Sequence, residues 1–360
     1  MDPLVSILIP SFNAEAWIAD AIKSALGQSW KRSEVIVVDD GSTDQTLAVA
    51  RRFASANVNV VRQKNQGAAA ARNHAFTLCQ GEYIQWLDAD DLLSPDKIAQ
   101  QMEVAQQEKN PRSLLSCGWG YFAYRANRAK FSPTSLWCDL SPVEWLLRKM
   151  FENLHMQTAT WLVSRELTEA AGPWDTRLSN DGDGEYFCRV ILASDRIRFV
   201  PQAQVFYRIS PPSRVSYIGR SNDKKEARLL SMKLHLKYIQ SLERSERVRV
   251  ACLTYLQNWL SIFYPERPDL VLEVEKMAAS LGGHLEAPVL KWKYAWIKSL
   301  FGWGPARRAE LVLPEVKSYV FRSWDKVMYS LAETRERRRL YNVPHQKIQG
   351  RETSLNEIKR

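Results

Sequence analysis

The chain has 360 residues, 45% hydrophobic and 25% charged, with 15 glycines and 16 prolines; this excludes a disordered, fibrous or collagen-like protein and leaves about two folded units or one elaborated domain. Its formal charge of +10 is unevenly placed: residues 1–110 hold 10 basic and 14 acidic side chains, residues 111–220 hold 14 and 10, and residues 221–360 hold 26 and 16. The net-negative N-terminal region argues against nucleic-acid binding, the class that the total charge alone would favour.

Val5–Ile9 is an apolar run ended by Pro10-Ser11-Phe12-Asn13, which predicts a buried strand stopping at a loop. Trp17, Ile18, Ala21, Ile22, Ala25 and Leu26 recur at three-to-four spacing, so a helix is expected within Ala14–Gly27. Glu34–Val38 reads as a strand covered on both faces, ending in Asp39-Asp40-Gly41-Ser42. A helix capped by Ser42 or Thr43 should run to about Ala54, followed by a strand at Val58–Arg62, a helix at Ala68–Cys79 and a strand at Glu82–Leu87. This alternation implies an α/β fold, a mainly parallel sheet flanked by helices. From Ser113 to about Tyr207 the pattern is mixed, with strand-like Leu114–Tyr124 and Ala159–Val163 and a helical stretch at Pro142–Leu154. Beyond Ser221 no strand is expected; Glu226–Glu243 and Arg247–Tyr264 read as long amphipathic helices.

In open α/β sheets ligands bind beyond the carboxyl ends of the strands, so the Pro10–Asn13, Asp39-Asp40 and Asp88–Asp91 loops should converge on one crevice. In Asp88-Ala89-Asp90-Asp91, carboxylates one residue apart can both reach a hard divalent cation that holds phosphate oxygens; the same run could instead be an Asp-rich turn before a helix near Ser94-Pro95. Asp40 could accept from a base N–H or a ribose hydroxyl, or sit in a solvated Asp-Gly turn. Arg72, on the small-residue segment Asn65–Asn73, could pair with a carboxylate or face a nucleotide. Asp181-Gly182-Asp183-Gly184-Glu185 sets three acids at the start of a helical stretch, where a carboxylate could act as a general base or cap the helix.

Val5–Asn13, Glu34–Thr46, Asn65–Asn73, Gly81–Leu92 and Gly172–Arg189, in this order and spacing, resemble a family 2 glycosyltransferase of GT-A fold over about the first 210 residues. The resemblance implies an inverting transfer from a nucleotide-diphosphate sugar, most commonly a UDP-sugar, to a glycan, lipid-linked or polysaccharide acceptor. It places Pro10 and Phe12 beside the nucleoside base, with Asp40 accepting from it and Arg72 nearby. Asp88 and Asp90 match the DxD signature; Asp90 would contact Mn²⁺ or Mg²⁺, and Asp88 would hold the ribose or the water shell of the metal. Asp183 matches the second acid of the Glu-Asp motif and is implied as the base. Gly182 stands where the family carries the preceding acid, which leaves Asp181 as an alternative base.

The expected organisation is a nucleotide-sugar-binding catalytic domain at 1–220, a helical region at 221–334 and a basic polar tail at 335–360. Trp119, Trp161 and Trp174 could stack on acceptor sugars or belong to the core, and Arg208 could reach a diphosphate or an acidic acceptor. Val289–Trp303 interleaves lysines with Trp, Tyr and Phe, the pattern of a helix lying on an anionic membrane surface or of an ordinary packed helix, and Arg335–Arg339 adds a basic cluster. Cys79, Cys117, Cys138, Cys188 and Cys252 show no metal-ligand spacing, and no leader or 18-residue apolar span is evident. These features fit a cytoplasmic enzyme, peripheral at the inner face of the membrane and working in cell-envelope polysaccharide synthesis. A nucleotidyltransferase or other metal-dependent phosphate-handling enzyme is the alternative; it is disfavoured because Pro10–Asn13 stands where a Gly-rich, Lys-bearing phosphate loop would be.

Overall fold

The computed structural model describes residues 2–209, 221–264, 266–288 and 292–341. The first apolar run becomes β1 (Val5–Ser11), every residue of which is buried. There follow α1 (Ile18–Leu26), β2 (Ser33–Asp39), α2 (Thr46–Arg51), β3 (Val58–Arg62), α3 (Ala68–Leu78) and β4 (Tyr83–Trp86). Strands β2 and β4 flank β1 and β3 adds outside β2, all parallel, because each crossover is a helix that covers one sheet face. Ala71 and Ala75 of α3 are fully buried, and their small side chains let that helix lie close on β1 and β2.

A second sheet is built from β5 (Leu92–Leu93), β6 (Ser113–Phe122), β7 (Lys130–Phe131) and, later in the chain, Arg196–Arg208. Between them lie α4 (Lys97–Glu108) after β5 and α5 (Pro142–Glu152) after β7; β8 (Val163–Ser164) then closes the first sheet antiparallel to β4. Next come α6 (Arg165–Ala171), α7 (Gly182–Ala193) and the long strand β9 (Arg196–Arg208). The strand expected at Ala159–Val163 is largely absent: Thr158–Thr160 form a 3₁₀ turn. Side-chain amides replace a ladder there, with Gln85 Nε2 donating to Ala159 O at 2.9 Å and Gln101 Nε2 to Thr160 O at 3.0 Å. Pro201 within β9 is accommodated because the parallel register with β6 jumps from Cys117↔Val200 to Gly118↔Gln204, which leaves residues 201–203 in a bulge that needs no N–H from proline.

The C-terminal region is helical: α8 (Asn222–Leu242), α9 (Glu246–Leu260), α10 (Pro268–Ser280), α11 (Ala295–Phe301) and α12 (Trp303–Tyr341). Ser221 and Ser245 cap α8 and α9 by accepting from Lys224 N and Val248 N, and so start each helix earlier than periodicity alone indicates. One apolar core runs from Ile7 of β1 through Tyr186 of α7 to Met232, Leu256 and Val274 of the helical region. The segment expected as one interfacial helix is divided, since Gly302 at φ +80° ends α11 before α12 begins. Positions 289–291 of that segment, Ser210, and 342–360 of the expected tail lie outside the described residues; position 335 is inside α12. Among the described residues no helix is long and apolar enough to cross a membrane.

Candidate active site

The register of β1 on β2 sets Ser11 beside Asp39, and Asp40 N donates to Ser11 O at 2.8 Å, so the two following loops leave the sheet side by side. They are stitched together by Asn13, whose Oδ1 accepts from Thr43 N at 2.9 Å and whose N–H donates to Ser42 Oγ at 3.0 Å. Asn13 takes a left-handed backbone (φ 47°), which asparagine tolerates better than most residues. Pro10 is buried beneath this loop, whereas Phe12 is 49% exposed at its rim.

Asp40 holds a third loop. Its Oδ1 accepts from Gln63 Nε2 at 2.7 Å and Gln66 N at 2.9 Å, and its Oδ2 accepts from Gly67 N at 2.8 Å. With about four lone-pair positions on a carboxylate, these contacts leave room for about one further donor, so the first job of Asp40 is to fix the entry into α3. Gly41, at φ +74°, allows the close approach: a Cβ there would lie 2.8 Å from Asn65 N.

Arg72 of α3 reaches the strand-end acids, with Nη2 2.7 Å from Asp88 Oδ1 and its guanidinium 4.4 Å above the Trp174 ring. Asp88 and Asp90 are half-buried, while Asp91 is fully buried and accepts from Arg208 N and from the Gln157 amide. Burial, together with the charges of Asp90 and Asp88, pushes the Asp91 carboxyl well above the usual range. Asp91 is therefore a turn-holding acid rather than part of the open set.

The expected acceptor contacts are not supported by the geometry. Trp174 is 3% exposed, with Tyr186 stacked on it at 3.9 Å and Arg72 over it, so no free face faces a sugar. Trp161 is buried against Phe187, and Trp119 is buried among Tyr121, His155 and Tyr207. Arg208 is also buried; it donates to Asp90 O at 2.8 Å and Ala123 O at 3.0 Å and pairs with Asp20 at 3.4 Å, so it braces the acidic loop from behind. In each case a large side chain found more stabilising contacts inside than at the crevice wall.

The two candidate bases differ. Asp181 occupies the N-cap of α7 with a left-handed backbone, pairs with Arg228 Nη1 at 2.5 Å and accepts from Ser231 Oγ. Burial alone would raise its carboxyl, but Arg228, His235 and Lys149 hold it down to about 2. Arg228 Nε also donates to Asn180 Oδ1 at 3.1 Å. Asp183, in the first turn of α7, is exposed. Although the residue as a whole is exposed, the surrounding protein desolvates its carboxyl, and this desolvation first, then the charges of Asp181 and Asp88, raise it above the ordinary value, with Arg72 opposing. Sequence reasoning missed Arg228, Ser231 and His235 as members of this site. Their signal is present as polar residues at i, i+3 and i+7 along the side of α8 that is buried.

Among the described residues no group of three or more His, Cys, Asp or Glu side chains gathers as a metal cage. The donor set of Asp88 and Asp90 fits a hard divalent ion of the kind held by one or two carboxylates and completed by phosphate oxygens and water. Arg72 on one oxygen of Asp88 leaves the other oxygen available for that task.

A parallel β3-β2-β1-β4 core with acidic loops at its carboxyl edge, extended by a second sheet around the β6–β9 pair, defines a GT-A-type α/β fold. Residues 6–162, less than half of the chain, match Glycosyl transferase family 2, and this region is similar to that family of glycosyltransferases. It is 28% identical over 221 residues to the uncharacterized glycosyltransferase EpsJ of Bacillus subtilis, covering 59% of this chain and 63% of EpsJ. It is 44% identical over 128 residues to chondroitin synthase of Escherichia coli, covering 35% of this chain and 17% of that protein. The solved structure of S. aureus TarS 1–349 with UDP-GlcNAc shares the fold, with TM-score 0.63 and 18% identity over 77% of this chain and 81% of TarS 1–349. The chain thus spans less than two thirds of the length of these curated relatives.

Proposed function

We propose that the protein is an inverting transferase that moves a sugar from a UDP-sugar to a glycan, lipid-linked or polysaccharide acceptor. The observation that carries this reading is the sorting of acids in one crevice: Asp88 is tied to Arg72, Asp181 to Arg228, and Asp183 alone of the α7 pair is open to the crevice. Similarity to chondroitin synthase, and the UDP-GlcNAc bound by TarS, support a polysaccharide-related acceptor and a uracil-type donor.

Asp183 takes the proton of the acceptor hydroxyl as that oxygen attacks the anomeric carbon from the face opposite the diphosphate. The raised Asp183 carboxyl makes it a better proton acceptor than an ordinary aspartate. Pro10, Phe12 and Asp40 border the base site, and Arg72 stands between the donor side and Asp88. A divalent cation, Mn²⁺ or Mg²⁺, held through Asp90 and Asp88 would offset negative charge on the departing diphosphate. The protein works at the cytoplasmic face of the cell envelope, in peripheral contact with anionic membrane. Asp183→Asn should reduce transfer at least 10³-fold, on the order of 4 kcal/mol of barrier, with donor-induced thermal shift retained. Transfer within tenfold of wild type by that variant would overturn the base assignment.

A further inference from the structure

We infer that the outward face of α12 is a docking surface for an anionic lipid bilayer. At about 100° per residue, Val312, Val316, Tyr319, Val320, Val327 and Leu331 fall in one stripe about 120° wide. Each of these side chains is at least 50% exposed. Trp324, 64% exposed, lies at the edge of the stripe. The opposite side of the helix faces the catalytic domain. There Asp325 is 3% exposed, accepts from Tyr124 N at 2.9 Å and Arg125 N at 3.2 Å, and pairs with Arg125 Nε at 2.6 Å. The clamp therefore fixes the helix with its apolar stripe outward.

The border of the stripe selects the occupant. Lys317 lies along one edge, with Arg308 and Lys326 along the other, all exposed. This is the arrangement in which long cationic side chains reach headgroups while Val, Tyr and Trp enter the boundary layer. An anionic headgroup layer complements the Arg308 and Lys326 edge and the Lys317 ammonium, which lies beside Glu310 on the other edge. A second copy that brought the Arg308 and Lys326 edges together would set cation against cation, which disfavours that self-association. The neighbouring 3₁₀ turn adds Trp292 (87% exposed), and α11 adds Trp296 (60%) and Phe301 (63%). Among the described residues no helix is apolar enough to span a bilayer, so α12 lies on the surface.

The clamp also ties this face to the acidic loop. Tyr124, whose N–H Asp325 accepts, has its ring 5.3 Å from Trp17; Arg208 lies 4.3 Å over Trp17 and donates to Asp90 O. A bilayer held by α12 would keep the crevice at a fixed attitude to the surface, the placement required when the acceptor is carried on a lipid.

This placement rests on the membrane-contact reading above, and flotation separates the two. Full-length protein should float with vesicles of phosphatidylcholine containing phosphatidylglycerol and remain behind with phosphatidylcholine alone. The double variant Val316→Glu/Val320→Glu should lose at least tenfold in vesicle affinity, and Lys317→Glu/Lys326→Glu should lose the preference for anionic lipid, both retaining the UDP-induced thermal shift that reports a folded donor site. If Trp292→Ala/Trp296→Ala abolishes flotation while Val316→Glu/Val320→Glu floats like wild type, membrane contact stands and the α12 assignment falls. If wild type floats with no vesicle, both fall. If light scattering shows a dimer that Val316→Glu/Val320→Glu disperses, without flotation of wild type, the stripe is a self-interface and the inference is overturned.

Discussion

Replacing Arg228 by methionine tests the ion pair on which the division between Asp181 and Asp183 depends. The side chains of Arg228 and Asp181 are 9% and 12% exposed, so methionine would preserve most of the apolar stem and leave Asp181 without its nearest cation. Breaking a buried pair from one side costs about 3–5 kcal/mol, because the remaining charge is uncompensated. A second route gives a similar size: the Asp181 carboxyl is lowered from 3.8 to about 2. At 1.36 kcal/mol per pH unit this depression corresponds to about 2 kcal/mol. Because the folded value is depressed, the contribution is fully present above the unfolded value and is lost as pH falls towards about 2. Urea unfolding followed by tryptophan fluorescence should therefore show a deficit of about 2–5 kcal/mol for Arg228→Met at pH 7, smaller at pH 3.5. Adding Asp181→Asn should recover part of it, since the stranded charge is removed. A deficit below 1 kcal/mol at pH 7, or a double variant less stable than Arg228→Met, would refute this account of the pair.

Other outcomes follow from the same geometry. A Cβ on Gly184 would clash with Oδ1 of the Asp181 carboxylate, whose other oxygen Arg228 and Ser231 hold, so Gly184→Ala should cost about 1–3 kcal/mol; an unchanged melting temperature would show that the carboxylate is free to move. Trp174→Ala should lower stability by about 3–5 kcal/mol as a buried-aromatic truncation. A mere rise in acceptor KM with unchanged stability would restore Trp174 as a sugar platform. The acid limb of the kcat/KM profile should lie above the ordinary aspartate value, because the Asp183 carboxyl is raised and transfer fails as pH falls through it; Asp181→Asn removes one raising charge and should move the limb to lower pH. A limb that moves upward would contradict the assignment.

How much of this was legible in sequence depended on whether the information was local. Strands β1, β2 and β4 carry mainly apolar runs stopped near Pro10, Asp39 and Asp88, and β3 lies at Val58–Arg62 as expected. The acids at 39–40, 88–91 and 181–183 mark the ends of elements and were found for the same reason. Side-chain destination was not local. Trp174 and Arg208 carry chemistry suited to an acceptor site, yet their partners, Tyr186 and Asp90 O, lie 12 and 118 positions away and are known only once the chain is folded. Proline is locally unfavourable inside a paired strand, and only the register jump opposite Cys117/Gly118 makes room for Pro201.

The region matching the family model ends at residue 162, but the candidate site does not. Asp183 stands in α7, Asp181 is neutralised by Arg228 of α8, and Tyr238 of α8 donates to Glu185 at 2.6 Å. Without α8, three acids would crowd the first turns of α7 with one internal cation, Arg189, paired to Glu185. Asp181 would then compete with Asp183 for the crevice and for any proton there. The helical region is thus an electrostatic component of the candidate site, because α8 supplies the cation that pairs with Asp181 and leaves Asp183 as the exposed acid of the two.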